Sequence, residues 1–436
     1  MKLLKWNLLL LNAAVSLLAG LAATACAAEA PARGPVATID ALVAEVLASN
    51  PELNFYRAEV IAARGERRGA TAWANPELAG QIGQKRVRGG GLSDEGTAWA
   101  VSVQQTFEWP GRLPLRKAIA NHQVQLAELG LVQFQAALTA RARALVYNLL
   151  AAQEKAAAAL EVADRFQELR EVLVQRDPAG LTPLLETRII EATELTLKRK
   201  ASEAEAAMQS ATLELNQLRG SVWTNVVRIE PARLNFNPPP DTESLLAAGR
   251  TNNFELRMRQ AELEQQGFKV SLARKEGYPA FTVGPYFAQE RAGEREQQIG
   301  IALSLPLPLW NRNQGGVESA EARRQQAETS LLVTQRNIER QVVEKAQSYE
   351  TKRREMARWR SDSAEQFRNA AELADRHYRL GAVPIATYVE LQKQYLEAVE
   401  ALLETKREAL EAAQTLEHLT GLTLSLVSTT GMEAKP

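Results

Sequence analysis

The sequence predicts a mainly α-helical fold with a small β part, built from two tandem repeats of long coiled-coil hairpins. Segments in the first half of the chain recur in the second half at a constant separation. A stretch with a seven-residue apolar period runs from Leu131 to Asp177 without glycine or proline. Two pairs of short segments alternate apolar with small or polar residues, which is the period of a β-strand. Each repeat therefore combines a helical hairpin with a pair of strands.

The internal repeat shows in two short motifs. Gly180-Leu-Thr-Pro183 recurs as Gly381-Ala-Val-Pro384, and Leu215-Asn-Gln-Leu-Arg-Gly220 recurs as Leu416-Glu-His-Leu-Thr-Gly421. The separations 381 − 180 and 421 − 220 are both 201 residues. A fixed separation over several motifs indicates a chain made of like structural units.

The repeats set the predicted organisation of the chain. We predict a first repeat over 36–221, a proline-rich linker over 222–241, a second repeat over 242–422 and a flexible tail over 423–436. Each repeat should contain a helix, two strands, a very long helix, a sharp turn and a returning helix. The first helices are predicted over 39–73 and 242–276, and the long helices from Arg112 to about Asp177 and over 313–380.

The long helix of the first repeat carries a coiled-coil seam. At 1.5 Å per residue it should be roughly 100 Å long, more than a globular domain needs. Two shorter helices stacked end to end would match its length, which predicts an even-walled helical cylinder. The seam positions are Val124, Leu131, Leu138, Leu145, Ala152, Ala159, Phe166 and Leu173.

The strands are predicted over about 78–88 and 98–107 in the first repeat, and 281–290 and 297–307 in the second. Ile299, Ile301 and Leu303 alternate with small or polar residues. Segments of about ten residues suit tilted strands that cross a bilayer, and open strand edges are not tolerated in lipid. Four strands must then be closed by further copies of the chain, and two, three or four copies are all allowed. The alternative is a soluble sheet whose apolar face packs on helices.

Aromatic residues stand where the strands meet the helices. In a bilayer they would form one interfacial belt on the side that faces the helical rod. These residues are Trp73, Trp109, Tyr278 and Trp310.

The N-terminus predicts export from the cytoplasm. Lys2 and Lys5 precede a short apolar run and then small residues up to Ala28, which is typical of a secretory signal peptide over 1–28. A membrane anchor is the alternative. Cys26, the sole cysteine, stands at the predicted cleavage point, but the leucine expected three residues before a lipid-acceptor cysteine is replaced by Ala23. Lipidation of Cys26 is therefore the lesser alternative.

Composition excludes several classes of function. The 52 basic and 52 acidic residues give zero formal charge, so no field favours nucleic acid. Mean hydropathy is −0.26, which excludes a polytopic helical membrane protein. His122, His377 and His418 are scattered without ligand spacing, and no nucleophile motif, phosphate loop or catalytic acid pair stands out. We expect no enzyme activity, no bound metal and no cofactor.

Two segments carry a resemblance to a known family. The stretch from Leu305 to Gly315, Leu-Pro-Leu-Pro-Leu-Trp-Asn-Arg-Asn-Gln-Gly, and Phe107-Glu-Trp-Pro-Gly-Arg112 follow the last strand of each repeat. With the tandem repeat, they resemble the TolC-type outer-membrane efflux proteins, and in particular their cobalt–zinc–cadmium branch. The resemblance covers nearly all of the mature chain.

The resemblance implies a homotrimer with a twelve-stranded barrel in outer-membrane lipid and a helical tunnel through the periplasm. Such a channel passively conducts cargo, here heavy-metal cations. A periplasmic adaptor protein and an inner-membrane pump of the RND type would deliver that cargo. A soluble periplasmic coiled-coil adaptor or structural protein is the alternative function.

The resemblance also implies a gate at the periplasmic end. The hairpin tips would be the turns Gly180 to Pro183 and Gly381 to Pro384, and the closing residues Glu186, Tyr378 and Glu390. Val383 and Thr387 stand where the family has an arginine and an acid, which implies a differently arranged closing network.

Overall fold

The computed structural model describes residues 36–89, 92–176, 184–223, 227–230, 232–359 and 363–431. The predicted signal peptide with Cys26 lies outside these residues, as do Gly180 and Pro183 of the first hairpin tip. Within the described parts of the chain, no helix combines the length and the apolar character that a membrane span requires.

Both repeats contain two helices, then two strands, then a helical hairpin, whose first arm is one helix in the first repeat and two helices in the second. The first repeat contains β1 (Val36–Ala37), α1 (Ile39–Ser49), α2 (Glu52–Ala70), β2 (Glu77–Gly89), β3 (Leu92–Phe107), α3 (Arg112–Arg176) and α4 (Leu184–Leu218). Two short strands follow, β4 (Arg228–Ile229) and β5 (Ala232–Phe236). The second repeat contains α5 (Thr242–Asn252), α6 (Phe254–Glu276), β6 (Phe281–Ala292), β7 (Glu294–Ser304), α7 (Gln314–Arg358), α8 (Ser363–Arg379), α9 (Ile385–Thr420) and β8 (Val427–Gly431).

Helix α3 forms the spine of the molecule. Its 65 residues correspond to a rod of roughly 100 Å, as the sequence predicts. It packs against α2 and α6 near the sheet and against α4 and α9 toward the far end. The predicted seam lies inside, since the following members are buried: Val124, Leu138, Leu145, Ala159 and Phe166.

The first helix of each repeat is divided, which corrects the prediction of continuous helices over 39–73 and 242–276. In the first repeat Asn50 has extended backbone, because the ring of Pro51 disfavours helical geometry in the residue before it. In the second repeat Asn253 is extended without a following proline, and its side chain caps α6 by accepting the Leu256 N–H at 3.0 Å.

Asn50 and Asn253 play equivalent roles in the two repeats, because the side chain of each bonds the returning helix of its repeat. We call this contact the asparagine clamp. Both side chains are 4% exposed. The Asn50 amide donates to the Leu218 carbonyl at 3.0 Å, and the Asn253 amide donates to the Leu419 carbonyl at 2.8 Å. Each bond joins the break in the first helix pair to the last turn of the returning helix, where carbonyls lack intrahelical partners. The two repeats therefore share this structural contact as well as their sequence motifs.

The second long helix is interrupted, so the prediction of one helix over 313–380 is wrong. Helix α7 ends at Arg358, and Trp359 has extended backbone. The segment 361–365, Ser-Asp-Ser-Ala-Glu, has the spacing of a capping box, which starts a new helix. Helix α8 accordingly begins at Ser363.

The linker and the tail both contain strands. Residues Ala232 to Phe236 of the predicted linker pair antiparallel with Val427 to Gly431, and β4 pairs parallel with β1. The Tyr349 hydroxyl lies 2.7 Å from the Asn237 carbonyl oxygen and 2.9 Å from that of Leu426. Burial raises the pKa of Tyr349 to about 12. The expectation of a flexible tail from residue 423 is therefore corrected for residues 427–431, whose backbone bonds to β5.

We expect Asn253→Ala to destabilise the fold by about 1–3 kcal/mol, because it removes the α6 cap and leaves the Leu419 carbonyl buried without its donor. Thermal unfolding in detergent measures the loss. Asn337→Ala is the matched control, since that side chain bonds only Arg340 on the exposed face of α7. Equal effects of the two substitutions would contradict the clamp.

Candidate channel wall and entrance

The two strand pairs form one four-stranded antiparallel sheet in the order β2-β3-β6-β7. The inner pair joins the repeats, with Val101 opposite Phe287 in the register. Strands β2 and β7 are the edges, and within the described chain neither has a partner on its outer side. Strands β2, β3 and β6 are somewhat longer than predicted. Strand β7 has the predicted length but lies three residues earlier than predicted, and it ends at Ser304 because Pro306 cannot donate to a ladder.

One face of the sheet is apolar and exposed. Directly opposed residues share a face, so the register fixes its members. Ile82, Ile299 and Ile301 are 92%, 81% and 77% exposed. Its apolar residues are Leu78, Ile82, Trp99, Val101, Val103, Phe107, Phe281, Val283, Pro285, Phe287, Ile299, Ile301 and Leu303, and the register also places Gly80 and Gln105 on this face.

The opposite face carries small and polar side chains. Its middle is formed by Ala79, Ala100, Ser102, Tyr286, Ala288, Gly300 and Ala302. An apolar face exposed beside a polar one, with both sheet edges open, is unstable in water and incomplete in lipid. The geometry of this sheet therefore requires further strands and an apolar surrounding.

The predicted belt aromatics lie at the helix end of the sheet, and three of them make ring contacts. Trp109 stacks on Tyr278 with ring centroids 5.2 Å apart, and Trp73 meets Phe107 edge-on at 6.1 Å. Trp310 is 94% exposed. The Trp109–Tyr278 stack joins the two repeats, which sequence spacing alone does not indicate.

The Phe107–Arg112 motif makes the turn from β3 into α3. Gly111 has φ +90°, and a Cβ there would meet the Lys275 side chain. Glu108 pairs with Arg116 at 2.6 Å. The Arg112 Nε donates to the Lys275 carbonyl at 3.1 Å, which satisfies a carbonyl at the C-terminus of α6.

The Leu305–Gly315 motif makes the corresponding turn into α7. Asn313 has left-handed backbone with φ 61°, and its N–H donates to the Asn311 side chain at 2.8 Å. Its own amide donates to the Ala273 carbonyl at 2.8 Å. Both turn motifs thus dock on the last carbonyls of α6 and fix the sheet to the helical rod.

The second hairpin tip is a tight helix ending at Gly381, whose φ is +72°. The Gly381 N–H donates to the Tyr378 carbonyl and the Ala382 N–H to the His377 carbonyl, both at 2.9 Å. These two bonds form a Schellman ending, which favours glycine. Pro384 then precedes the first residue of α9. The turn predicted from the repeat is therefore present in the second repeat.

The predicted gate residues have different surroundings. Tyr378 stacks on Tyr388, with ring centroids 5.3 Å apart and 17° between the planes. Glu390 is exposed on α9 and accepts a bond from Gln394 at 2.9 Å. Glu186 lies in α4, and its side chain is outside the described part of the structure.

Sequence reasoning missed the residues on which Tyr378 rests. Tyr388 is fully buried, and burial together with the nearby Asp375 carboxylate raises the pKa of its hydroxyl above the ordinary value. Asp375 pairs with Arg379 at 2.9 Å. The apolar period of α9 could have placed Tyr388 inside, but its neighbours on α8 depend on how the helices pack.

Ion pairs at heptad spacing join α8 to α3 above the tip. Arg368 bonds Glu161 at 3.1 Å, and Arg379 bonds Glu168 at 3.3 Å. The two glutamates are seven residues apart, so they lie on one face of α3. The partly exposed Arg379–Glu168 pair should contribute little to stability, and such pairs can break and re-form.

The described residues contain no group of three or more His, Cys, Asp or Glu side chains placed to hold a metal ion. His122 lies 3.8 Å from Glu264, and burial lowers the pKa of His418.

Comparison with known proteins agrees with this geometry. Residues 245–422 match the outer membrane efflux protein family. The chain is similar to the cobalt-zinc-cadmium resistance protein CzcC of Cupriavidus metallidurans, with 23% identity over 89% of this chain and 91% of CzcC. It is also similar to the nickel-cobalt-cadmium resistance protein NccC of Alcaligenes xylosoxydans xylosoxydans, with 28% identity over 70% of this chain and 67% of NccC.

The fold is that of solved outer membrane channels. The Campylobacter jejuni CmeC outer membrane channel superposes with a TM-score of 0.74 at 15% identity, over 88% of this chain and 85% of CmeC. The tandem repeat, the open apolar sheet, the family match over residues 245–422 and the two resistance proteins together make the chain similar to the outer membrane efflux proteins, and among them to CzcC and NccC.

Proposed function

We propose that the chain is one protomer of a trimeric outer-membrane efflux channel. The observation that carries the proposal is the exposed apolar face of a sheet with two open edges. Pairing β7 of one copy with β2 of the next removes every edge, and three copies supply twelve strands around a pore. The fold shared with outer membrane channels supports this arrangement.

The terminal helices of the wall support closure by copies of the same chain. Helix α2 packs on α3 beside β2, and α7 packs on α6 beside β7. Both terminal helices expose large apolar side chains, which sit unfavourably in water unless covered. These are Phe55 and Ile61 on α2, and Leu332 and Val333 on α7. One lateral contact would then close the sheet and the helical wall together.

The apolar band places the sheet in the outer membrane, and the helices extend into the periplasm. Five rows of outward residues, from the Phe107–Phe281 row to the row of Ile82 and Trp99, cover roughly 25 Å along the strands. The middle row contains Leu78, Val103 and Ile301. Trp73, Trp109, Tyr278 and Trp310 occupy the periplasmic interface of this band.

The channel conducts passively. Its lumen is lined by the small and polar face of the sheet, and its relatives are efflux and resistance proteins rather than enzymes. The names of CzcC and NccC support divalent metal cations as cargo. A periplasmic adaptor and an inner-membrane pump of the RND type deliver the cargo. The alternative, a soluble periplasmic coiled-coil protein, would need helices over Ile82, Ile299 and Ile301, which are exposed.

The hairpin tips form the periplasmic gate. Tyr378 locks α8 against α9 through its stack on Tyr388, while Glu186 and Glu390 surround the entrance. Symmetry-related carboxylates at a narrow opening would repel one another and hold cations. Individually weak ion pairs join α8 to α3 above this tip.

We expect Ile301→Lys to block membrane assembly, because a charge at the middle of the lipid-facing band costs about 2–4 kcal/mol. Ala302→Lys is the matched control, since it places the same charge on the lumenal face one residue away. Membrane fractionation and heat-resistant oligomers on gels report the assembly. Equal tolerance of both substitutions would overturn the membrane sheet and with it the channel.

The double variant Glu186→Ala with Tyr378→Phe should raise single-channel conductance in planar bilayers, because it removes an entrance charge and the hydroxyl at the tip. Glu205→Ala is the control, an exposed glutamate farther along the same helix. Conductance equal to that of the wild type would remove the Glu186 carboxylate and the Tyr378 hydroxyl from the gate.

Disruption of the gene should increase cellular sensitivity to cobalt, nickel, zinc or cadmium salts, with restoration by the wild-type chain and not by Ile301→Lys. Growth inhibition across a panel of metals and organic toxins measures this. Sensitivity confined to organic compounds would refute metal cargo while leaving the channel in place.

A further inference from the structure

The outer end of the sheet separates charge by face. On the apolar side, Arg86, Arg88, Arg291 and Arg295 are accompanied by a single described acid, Glu95, which gives a net charge of +3 per chain (4 − 1). On the lumenal side, Lys85 is accompanied by Asp94, Glu290, Glu294 and Glu296, which gives −3 per chain (1 − 4). The two sets alternate along the same strands, so the segregation follows from the two-residue period.

The outward arginines lie directly beyond the apolar band. Arg291 and Arg295 are opposite each other in the register, two residues farther toward the hairpin loops than Gln289 and Gln297. Gln289 in turn is opposite Trp99, the last aromatic of the band. Arg86 and Arg88 continue the same face of β2. We call these four residues the arginine rim. Their level is that of the headgroups of the outer leaflet.

Most of the positive charge of the arginine rim is not neutralised by acidic residues of the described chain. Arg88 and Arg291 have no ion-pair partner among the described residues. Arg295 donates to a neutral partner, Gln289, at 2.7 Å. Arg86 alone is paired, with Glu95 at 2.5 Å on the exposed surface. Guanidinium groups bind phosphate through two parallel hydrogen bonds, and they are more weakly hydrated than ammonium groups.

On the lumenal side, acidic neighbours neutralise the charge of the basic residue Lys85. Lys85 lies 2.8 Å from Glu290 and 2.7 Å from Glu296, which together outweigh its charge. An anion approaching the outer mouth is therefore repelled from the lumenal face and attracted to the outer one. This distribution of charge favours an anionic lipid around the barrel over an anionic cargo inside the lumen.

On these grounds, and resting on the channel proposed above, we propose that the arginine rim binds the phosphate groups of outer-leaflet lipid headgroups. Bound phosphates would neutralise the like charges that Arg291 and Arg295 present across one strand pair. They would also fix the height of the barrel in the membrane. The ligand is a phosphorylated glycolipid that lies beside the apolar band, with its acyl chains on Ile299 and Trp99.

The test uses the purified full-length channel in neutral detergent and native mass spectrometry to measure bound lipid. The probe is a bisphosphorylated glucosamine-disaccharide lipid, compared with the same lipid without phosphates. The wild type should prefer the phosphorylated lipid by about tenfold or more. The rim variant, Arg86→Gln with Arg88→Gln, Arg291→Gln and Arg295→Gln, should lose this preference.

The control variant removes four exposed helix arginines and should keep the preference: Arg188→Gln, Arg199→Gln, Arg340→Gln and Arg354→Gln. Retained preference in the rim variant, or equal loss in the control, overturns the proposal. Equal binding of the phosphate-free lipid also overturns it. Inorganic phosphate in molar excess should not displace the lipid, and full displacement would reassign the rim to free phosphate and refute a lipid site.

Pore formation in planar bilayers distinguishes a failure of the channel proposal from a failure of the arginine-rim proposal. A wild-type chain that forms no pore refutes the channel, whereas a rim variant that forms pores and keeps its lipid preference refutes only the rim. The double variants Arg86→Gln with Arg88→Gln and Arg291→Gln with Arg295→Gln serve if the quadruple variant does not assemble. Each should lose part of the preference, and full retention in both would overturn the rim.

Discussion

The structure depends on the backbone hydrogen bonds of one small sheet. Its two edges, β2 and β7, leave donors and acceptors without partners, and its outward face exposes isoleucines such as Ile82 and Ile299. Neither feature is stable in water, and an open edge is not stable in lipid. A closed ring of identical sheets satisfies the edges, and hydrocarbon covers the face. The long helices then extend this ring away from the membrane.

Because of the tandem repeat, a single lateral contact between neighbouring copies closes both the sheet and the helical wall. Because β3 and β6 come from different repeats, the sheet edges lie directly below α2 and α7, the ends of the helical wall. The turn motifs that carry Arg112 and Asn313 both bond to the end of α6, so the sheet cannot rotate independently of the rod. Asn50 and Asn253 fix the same junction in each repeat farther along the rod.

Charged residues are distributed differently at the outer end of the sheet and at the far end of the helices. At the outer end, the alternation that separates lipid from lumen also separates basic from acidic residues, with Arg291 outside and Glu290 inside. At the far end, the ion pairs between α8 and α3 include the partly exposed Arg379–Glu168 pair. Such pairs are individually weak, which suits a proposed entrance that must open, whereas the Tyr378–Tyr388 stack supplies the apolar contact beneath them.

The amino-acid sequence was sufficient to predict the tandem repeat, the heptad seam of α3, the two faces of the strands and the turn at Gly381. These features are local, since periodicity and left-handed glycine backbone are written in neighbouring residues. The break at Asn253, the pairing of the tail with β5 and the partners of Tyr378 became apparent only from the packing of the chain. The Asn253 clamp closes on a carbonyl 166 residues away, and no local pattern encodes that distance.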